Sequence, residues 1–405
     1  MRQATSAIYL DNHSTTRLDP RVLETMLPWL TDHYGNAGST THEMGREARE
    51  AVEAARETFA TAIGAAAREI VFTSGATESN NLAILGTAAR PRPGREPGHV
   101  VTVVSEHHAV LDPIEYLAGQ HPSGQRVEVT RLGIVPQRDG GGVPGRIRLE
   151  DLRAALRPDT FLVAVLLANN EIGVVQDVAA IAEIVHAHGA VLHVDAAQAL
   201  GRITVDVDAL GADLASFSAH KFHGPKGAGA LYVRRRGRAV RLDPLVHGGG
   251  QERGLRSGTL DVPGIVGMAE AARLAATGIA DEVPRMRQLR DHLWAELAAR
   301  IDGVALNGPP LDDPAVRLGN NLNVRIAGID GQSLLATLAA DGLAVSSGSA
   351  CSAESPRPSH VLLALGLDED QARASLRFGL SRFTTAAEID EAIARIAAGV
   401  ARLRG

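Results

Sequence analysis

Ile70-Val71-Phe72-Thr73-Ser74-Gly75-Ala76-Thr77-Glu78-Ser79-Asn80-Asn81 decides the fold class. Four apolar or β-branched residues in a row read as a strand buried on both faces, and the small polar run around Gly75 reads as a tight turn opening a helix. The same phrase recurs from about residue 48 to 233. Upstream, Glu47 to Ile63 sets Ala51, Val52, Ala55, Phe59, Ala62 and Ile63 on one helical face. Downstream, Val100–Val104, Phe161 to Ala168, Val191–Val194 and Leu214–Ser218 are further apolar strands separated by helical stretches. This alternation predicts an α/β unit whose mostly parallel sheet is covered on both faces. The run Gly227–Val233, reached by a tight Gly/Pro turn, predicts an antiparallel strand.

Around residues 262–265 the texture changes. An Ala/Leu/Arg-rich helix is expected from about 265 to 300, with a break near Pro284. A short strand, Asn321–Val324, and helices near 330–341 and 386–403 follow. The reading is a large domain over 15–264 and a smaller α+β domain built from 1–14 and 265–405, the latter carrying a mobile cysteine loop at 346–358.

Composition bounds the function. In 405 residues, 45% are hydrophobic and the net charge is −6, which excludes a disordered chain and disfavours nucleic acid as a direct partner. No apolar run approaches the ~20 residues of a membrane span, and Met1 to Asp11 has no apolar signal core, so a cytoplasmic protein is expected. The single cysteine, Cys351, excludes an internal disulfide framework and Cys-rich metal sites. Of 41 basic residues only Lys221 and Lys226 are lysine, leaving 39 arginines. Positions that keep lysine in such a chain are candidates for work that needs a primary amine or a compact ammonium.

Ligands of open α/β sheets lie beyond the carboxyl ends of the strands, and the polar residues of this chain fall there repeatedly. Ser74 to Glu78 offers backbone N–H groups and a hydroxyl to an anion, or is an ordinary strand-to-helix turn capped by Thr77. Glu106-His107-His108 follows its strand directly; an imidazole there suits stacking on a flat ligand or proton exchange, whereas a metal site lacks a carboxylate partner. Asp195 ends a buried strand and needs a cationic or hydrogen-bonding partner, such as a protonated heterocyclic nitrogen, unless it caps the next segment. Lys221, in Ser216-Phe-Ser218-Ala-His220-Lys221, is a candidate Schiff-base former or a lysine in a polar turn. Cys351 sits in a Ser/Gly/Pro-rich stretch with almost no apolar side chains, where a thiol is a liability unless used. Arg377, in Ser375-Leu-Arg377-Phe-Gly, suits a carboxylate clamp. An acid, a lysine, an anion turn, a histidine for a planar ligand and a lone thiol together describe a pyridoxal phosphate site.

The set Ser74-Gly-Ala-Thr-Glu-Ser, Asn169-Asn-Glu-Ile-Gly173, His193-Val-Asp-Ala-Ala-Gln198, Ser218-Ala-His-Lys-Phe-His-Gly-Pro-Lys-Gly227, Arg256-Ser-Gly-Thr259 and Ser346-Ser-Gly-Ser-Ala-Cys351 resembles the cysteine desulfurase family, class V aminotransferases that use pyridoxal phosphate. The match runs from about Tyr9 to the end, and the cysteine stretch is similar to that of the long-loop housekeeping branch. The resemblance implies a type I pyridoxal-phosphate transferase fold, a mostly parallel sheet in a large domain beside a smaller α+β domain, and a homodimer. It further implies removal of sulfur from L-cysteine to give L-alanine and a Cys351 persulfide, passed to a sulfur-acceptor protein. Lys221 would hold pyridoxal 5'-phosphate covalently and, once freed by substrate, move the Cα proton. Asp195 would pair with the ring nitrogen, His107 would stack on the ring and assist proton transfer, and Gln198 would bond the phenolic oxygen. Ala76, Thr77, Ser218 and His220 would hold the phosphate, with Thr259 reaching in from the partner subunit. Asn170 and Arg377 would orient the substrate carboxylate; no metal is implied. The family pattern has proline where Ala37 and Arg17 stand, and iron–sulfur members of this branch carry a longer tail after the last helix. Iron–sulfur assembly, tRNA thiolation, DNA phosphorothioation and a biosynthetic sulfur carrier all stay open as destinations, and a selenocysteine lyase or another C–S lyase is the alternative activity.

Overall fold

Ile70–Thr73 is a fully buried strand and Ala76–Ala88 a 13-residue helix, with Gly75 between them at φ 151°. The computed structural model describes residues 7–90, 98–120, 127–138, 140–347 and 357–405. Seven strands form the main sheet in the order Ile70–Thr73, Gly229–Val233, Leu214–Ser218, Val191–Asp195, Thr160–Leu166, His99–Val103, Glu128–Leu132. Gly229–Val233 runs antiparallel to both neighbours, as its entry turn predicts, and the other pairings are parallel.

The near-continuous apolar runs have a direct cause. Val101, Val163 and Val165 point into one hydrophobic cluster, while Val100, Leu162 and Ala164 point into another, so alternate residues of one strand feed cores on opposite faces. A separate cluster surrounds the three-stranded antiparallel sheet of Ser375–Gly379, Asn321–Ile326 and Val304–Leu306, and contains Leu322, Val324, Phe378, Ile389 and Ile396. Val361, Leu362 and Leu365 join the first cluster although they follow Cys351 in the chain.

The break expected near Pro284 does not occur: Val262–Arg300 is one helix of 39 residues. Its first half buries Met268, Ala271 and Ala275 in the first cluster, and its second half buries Leu293 and Leu297 in the cluster around the small sheet. Pro284 falls between these anchors, where it and Ala280, whose carbonyl loses its N–H partner, are both exposed. Exposure leaves that carbonyl open to solvent, and packing on either side keeps the helix continuous past a residue that otherwise costs about 3 kcal/mol. Among the described residues no helix is long and apolar enough to cross a membrane.

Candidate active site

The carboxyl ends of Thr160–Leu166, Val191–Asp195 and Leu214–Ser218 open onto a cavity of about 450 Å³. One wall is the turn at Gly75. No side chain caps the helix Ala76–Ala88, so its first N–H groups remain available, and Ala76, Thr77, Ser218 and His220 line the cavity beside it. The wall depends on Gly229, which pairs with both Thr73 and Ser218; a Cβ there would stand 2.4 Å from the Gly75 Cα. Glu78 in the first turn would oppose an anion. Burial pushes its carboxyl up, but bonds from Arg256 (2.9 Å) and from the Ser74 N–H (2.8 Å) outweigh this and hold it below its ordinary value. His220 is driven down to about 4 by burial and by Lys221 and Lys226, so it is neutral at pH 7, with its Nδ1 3.0 Å from the Thr15 hydroxyl.

Asp195 lies at the floor, buried, its Oδ2 accepting from Asn80 Nδ2 (2.8 Å) and its Oδ1 from the Ala197 N–H (2.9 Å). Lys221 ends the turn after Leu214–Ser218 and donates Nζ to the carbonyls of His13 (2.7 Å) and Ser14 (2.8 Å). His107 is lowered by burial and by Lys221, against the pull of Asp195. Its Nδ1 accepts the Ala109 N–H at 3.0 Å, which places the proton of the neutral ring on Nε2. Gln198 lines the cavity with its amide already engaged: Nε2 donates to the His13 carbonyl (2.9 Å), and Oε1 accepts from Arg202 and faces His13 Nδ1 (3.1 Å).

Arg377 comes from the small antiparallel sheet yet lines the same cavity, at 1% exposure. Its Nη2 contacts Asp11 (2.8 Å) and Ser14 Oγ (2.9 Å), its Nη1 donates to the Asn170 carbonyl (3.2 Å), and its Nε is buried with no hydrogen-bond partner among the described residues. Asn170 lines the cavity beside it. Ten of the expected site residues thus converge: Ala76, Thr77, His107, Asn170, Asp195, Gln198, Ser218, His220, Lys221 and Arg377. Thr259 does not; it is exposed and lies off this cavity. Cys351 lies outside the described residues.

Three features were missed from sequence. His13 and Ser14 supply the carbonyls that hold Lys221, and Asn80 holds Asp195. The polar run Asp11 to Thr16 and the doublet Asn80-Asn81 on an otherwise apolar helix were the available signals. Arg202, fully buried and lowered to about 9 by desolvation and by Arg377, ties Gln198 to the Asn12 and Lys221 carbonyls (2.9 and 3.1 Å). Glu106 turns inward: burial, with Asp195 adding to it, pushes its carboxyl well above the usual range despite the Leu166 N–H at 2.8 Å.

Comparisons with known proteins identify the family. The class-V aminotransferase family model covers residues 8–392. The cysteine desulfurase IscS of Anaeromyxobacter dehalogenans is 50% identical over 397 residues, 98% of this chain and 93% of the relative. Among solved structures, a NifS-like protein superposes with a TM-score of 0.86 at 37% identity, covering 98% of this chain and 100% of the other. SspA in complex with cysteine gives 0.76 at 34% identity, covering 93% and 100%. The chain belongs to the cysteine desulfurase family of class-V aminotransferases.

Cysteine desulfurases depend on pyridoxal 5'-phosphate, and the residues present fit it. A phosphate finds an uncapped helix N-terminus beside Gly229, which packs too closely on the Gly75 backbone to admit a Cβ. A ring nitrogen finds a buried carboxylate, and an aldehyde finds a lysine amine, in a cavity of ligand size. The two departures from the family pattern lie off the cavity: Ala37 is in the core, and Arg17 stacks 5.5 Å from the Phe383 ring centroid.

Proposed function

We propose that this protein removes sulfur from L-cysteine, releasing L-alanine and leaving a persulfide on Cys351 for a sulfur-acceptor protein. The observation that carries the reading is the convergence of Lys221, Asp195 and the open helix N-terminus on one cavity that also receives Arg377. Pyridoxal 5'-phosphate, when bound, supplies the electron sink that stabilises negative charge at the substrate Cα. Ala76, Thr77, Ser218 and His220 hold its phosphate, with Thr259 added from the partner of a homodimer. Asp195 holds its ring nitrogen, and Gln198, after releasing one of its present contacts, meets its phenolic oxygen. Lys221 is the attaching amine and, when free, moves the proton at Cα. His107 stacks on the ring and carries its transferable proton on Nε2. Arg377 and Asn170 orient the substrate carboxylate.

Cys351 as thiolate attacks the substrate sulfur: an S–S bond forms, the substrate C–S bond breaks, and the carbon takes a proton to become alanine. Chain geometry supports the assignment. Ser346 exchanges backbone hydrogen bonds with Arg377 (3.2 and 2.6 Å), and Cys351 lies five residues further on, a reach of up to about 18 Å. We further read the chain as a cytoplasmic protein with a large unit at 15–264 and a smaller one at 1–14 and 265–405. Beyond position 264 the first hydrophobic cluster takes in the long helix as far as Ala275 and also Leu318, Val361, Leu362 and Leu365.

The test is to incubate purified protein with L-cysteine and follow alanine and sulfide for wild type and Cys351→Ala. Loss of desulfuration with the yellow cofactor retained is expected. Full activity in the variant overturns the persulfide assignment, and turnover confined to selenocysteine would instead mark a selenocysteine lyase.

A further inference from the structure

Both lysines of this arginine-rich chain line the same cavity. Lys221 is accounted for by its bonds to the His13 and Ser14 carbonyls and by its role as the attaching amine. Lys226 is not. It is exposed at the cavity rim and makes no hydrogen bond or ion pair with any described residue.

Its place in the fold says what it faces. Pro225-Lys226-Gly227 is the turn into Gly229–Val233, with Gly227 at φ +83°. Gly229 is the residue wedged between Ser218 and Thr73 and pressed against Gly75. Lys226 therefore stands three residues, at most about 11 Å of chain, from the point where the phosphate wall closes.

That wall has a charge deficit. Its donors are the N–H groups of Ala76 and Thr77, the hydroxyls of Thr77 and Ser218, and His220, all uncharged at pH 7. A bound phosphate monoester carries about −1.5 to −2. The other cation of the cavity, Arg377, is committed to Asp11 and Asn170. Glu78 adds no net positive charge, since Arg256 only neutralises it.

We propose that Lys226 is the counter-charge for the phosphate of the bound cofactor, a binding role distinct from the covalent role of Lys221. The inference rests on the cofactor reading above. A compact, hydrated ammonium serves a phosphate dianion as a point charge without the planar geometry that guanidinium requires, which accounts for lysine at this position in a chain that otherwise uses arginine. The same charge helps to keep His220 neutral.

The test compares two ligands that differ only in the phosphate. Full-length protein stripped of cofactor is titrated with pyridoxal 5'-phosphate and with pyridoxal, reading the absorbance of the bound chromophore, for wild type, Lys226→Met and Lys226→Arg. In Lys226→Met the dissociation constant for the phosphorylated ligand should rise about 5- to 10-fold, as for one partly exposed charge-assisted contact, and that for pyridoxal should not change. Lys226→Arg should recover part of the loss, and the gap between wild type and Lys226→Met should narrow in high salt. Equal affinity of wild type and Lys226→Met for pyridoxal 5'-phosphate would overturn the proposal. So would an equal loss for both ligands, which would place Lys226 in imine formation or folding instead. A wild type that forms no chromophore with either ligand would sink the cofactor reading itself.

Discussion

Gly229→Ala tests the close approach on which the phosphate wall is built. The added Cβ would lie 2.4, 2.6 and 2.7 Å from the Cα, N and C of Gly75. Ordinary contact starts near 3.4 Å, so the two backbones must part by about 1 Å, and no flexible side chain is available to yield. Gly229 is held in register between Thr73 and Ser218, so the turn at Gly75 is the part that moves. Overpacking of this kind costs about 1–3 kcal/mol, which for a chain of this length is a fall in Tm of roughly 1–4 °C for the cofactor-free protein. The displaced Ala76 and Thr77 N–H groups also lose alignment with an anion. Each charge-assisted bond is worth about 1.5–3 kcal/mol, so weakening one lowers cofactor affinity about 10- to 100-fold. The measurements are thermal unfolding with and without cofactor, and the absorbance titration with pyridoxal 5'-phosphate. Gly119→Ala is the control, because a Cβ there meets nothing within 4 Å on an exposed helical turn. A Gly229→Ala protein with wild-type Tm and affinity would refute the argument that backbone proximity shapes the wall.

Arg377→Lys should raise the KM for L-cysteine by one to two orders of magnitude with a smaller fall in kcat, because lysine offers a carboxylate no bidentate fork; steady-state kinetics showing an unchanged KM would remove Arg377 from substrate binding. Glu252→Gln should destabilise the fold by about 3 kcal/mol, seen as a lower denaturant midpoint. It strips the charge from a bidentate pair (2.7 and 2.7 Å) with Arg56, itself 3% exposed, and only the solvent-facing Glu53 is left to compensate. Glu171 is raised by burial from 4.5 to about 7, so folding favours its protonated form. Its contribution is whole below pH 4.5 and fades as pH rises through 7, a change of roughly 3 kcal/mol. Glu171→Gln should therefore gain stability over wild type between pH 5 and pH 8, and a difference that stays constant with pH would contradict this.

The sheet was legible because strands buried on both faces must be apolar at nearly every position, and Thr160–Leu166 is apolar at every position after Thr160. The residues at strand ends were legible for a related reason: a polar side chain directly after a buried strand has few places to go except the crevice above the sheet, and Asp195, His107 and Lys221 all go there. Pro284 misled because a local rule was applied where tertiary packing decides; anchors on both sides outweigh one lost hydrogen bond in solvent. His13 was missed for the opposite reason. The polar run around it gives no role to any one residue, and its carbonyl becomes functional through a contact with Lys221 across 208 residues of sequence.

That long-range contact carries more than placement. The segment from Asp11 to Thr16 touches the site at both ends: Asp11 and Ser14 Oγ bind Arg377 Nη2, the carbonyls of His13 and Ser14 bind Lys221 Nζ, and Thr16 bonds the His220 carbonyl through its N–H and hydroxyl, both at 2.9 Å. Ser14 therefore meets both Arg377 and the Lys221 amine. On the proposed roles, a substrate carboxylate arriving at Arg377 would compete with Asp11 and Ser14 for the same Nη2, and Ser14 also accepts from the amine that substrate would displace. Because Arg377 belongs to the antiparallel sheet and Lys221 follows a strand of the parallel one, the hydroxyl and the carbonyl of Ser14 join the two halves of the site through hydrogen bonds.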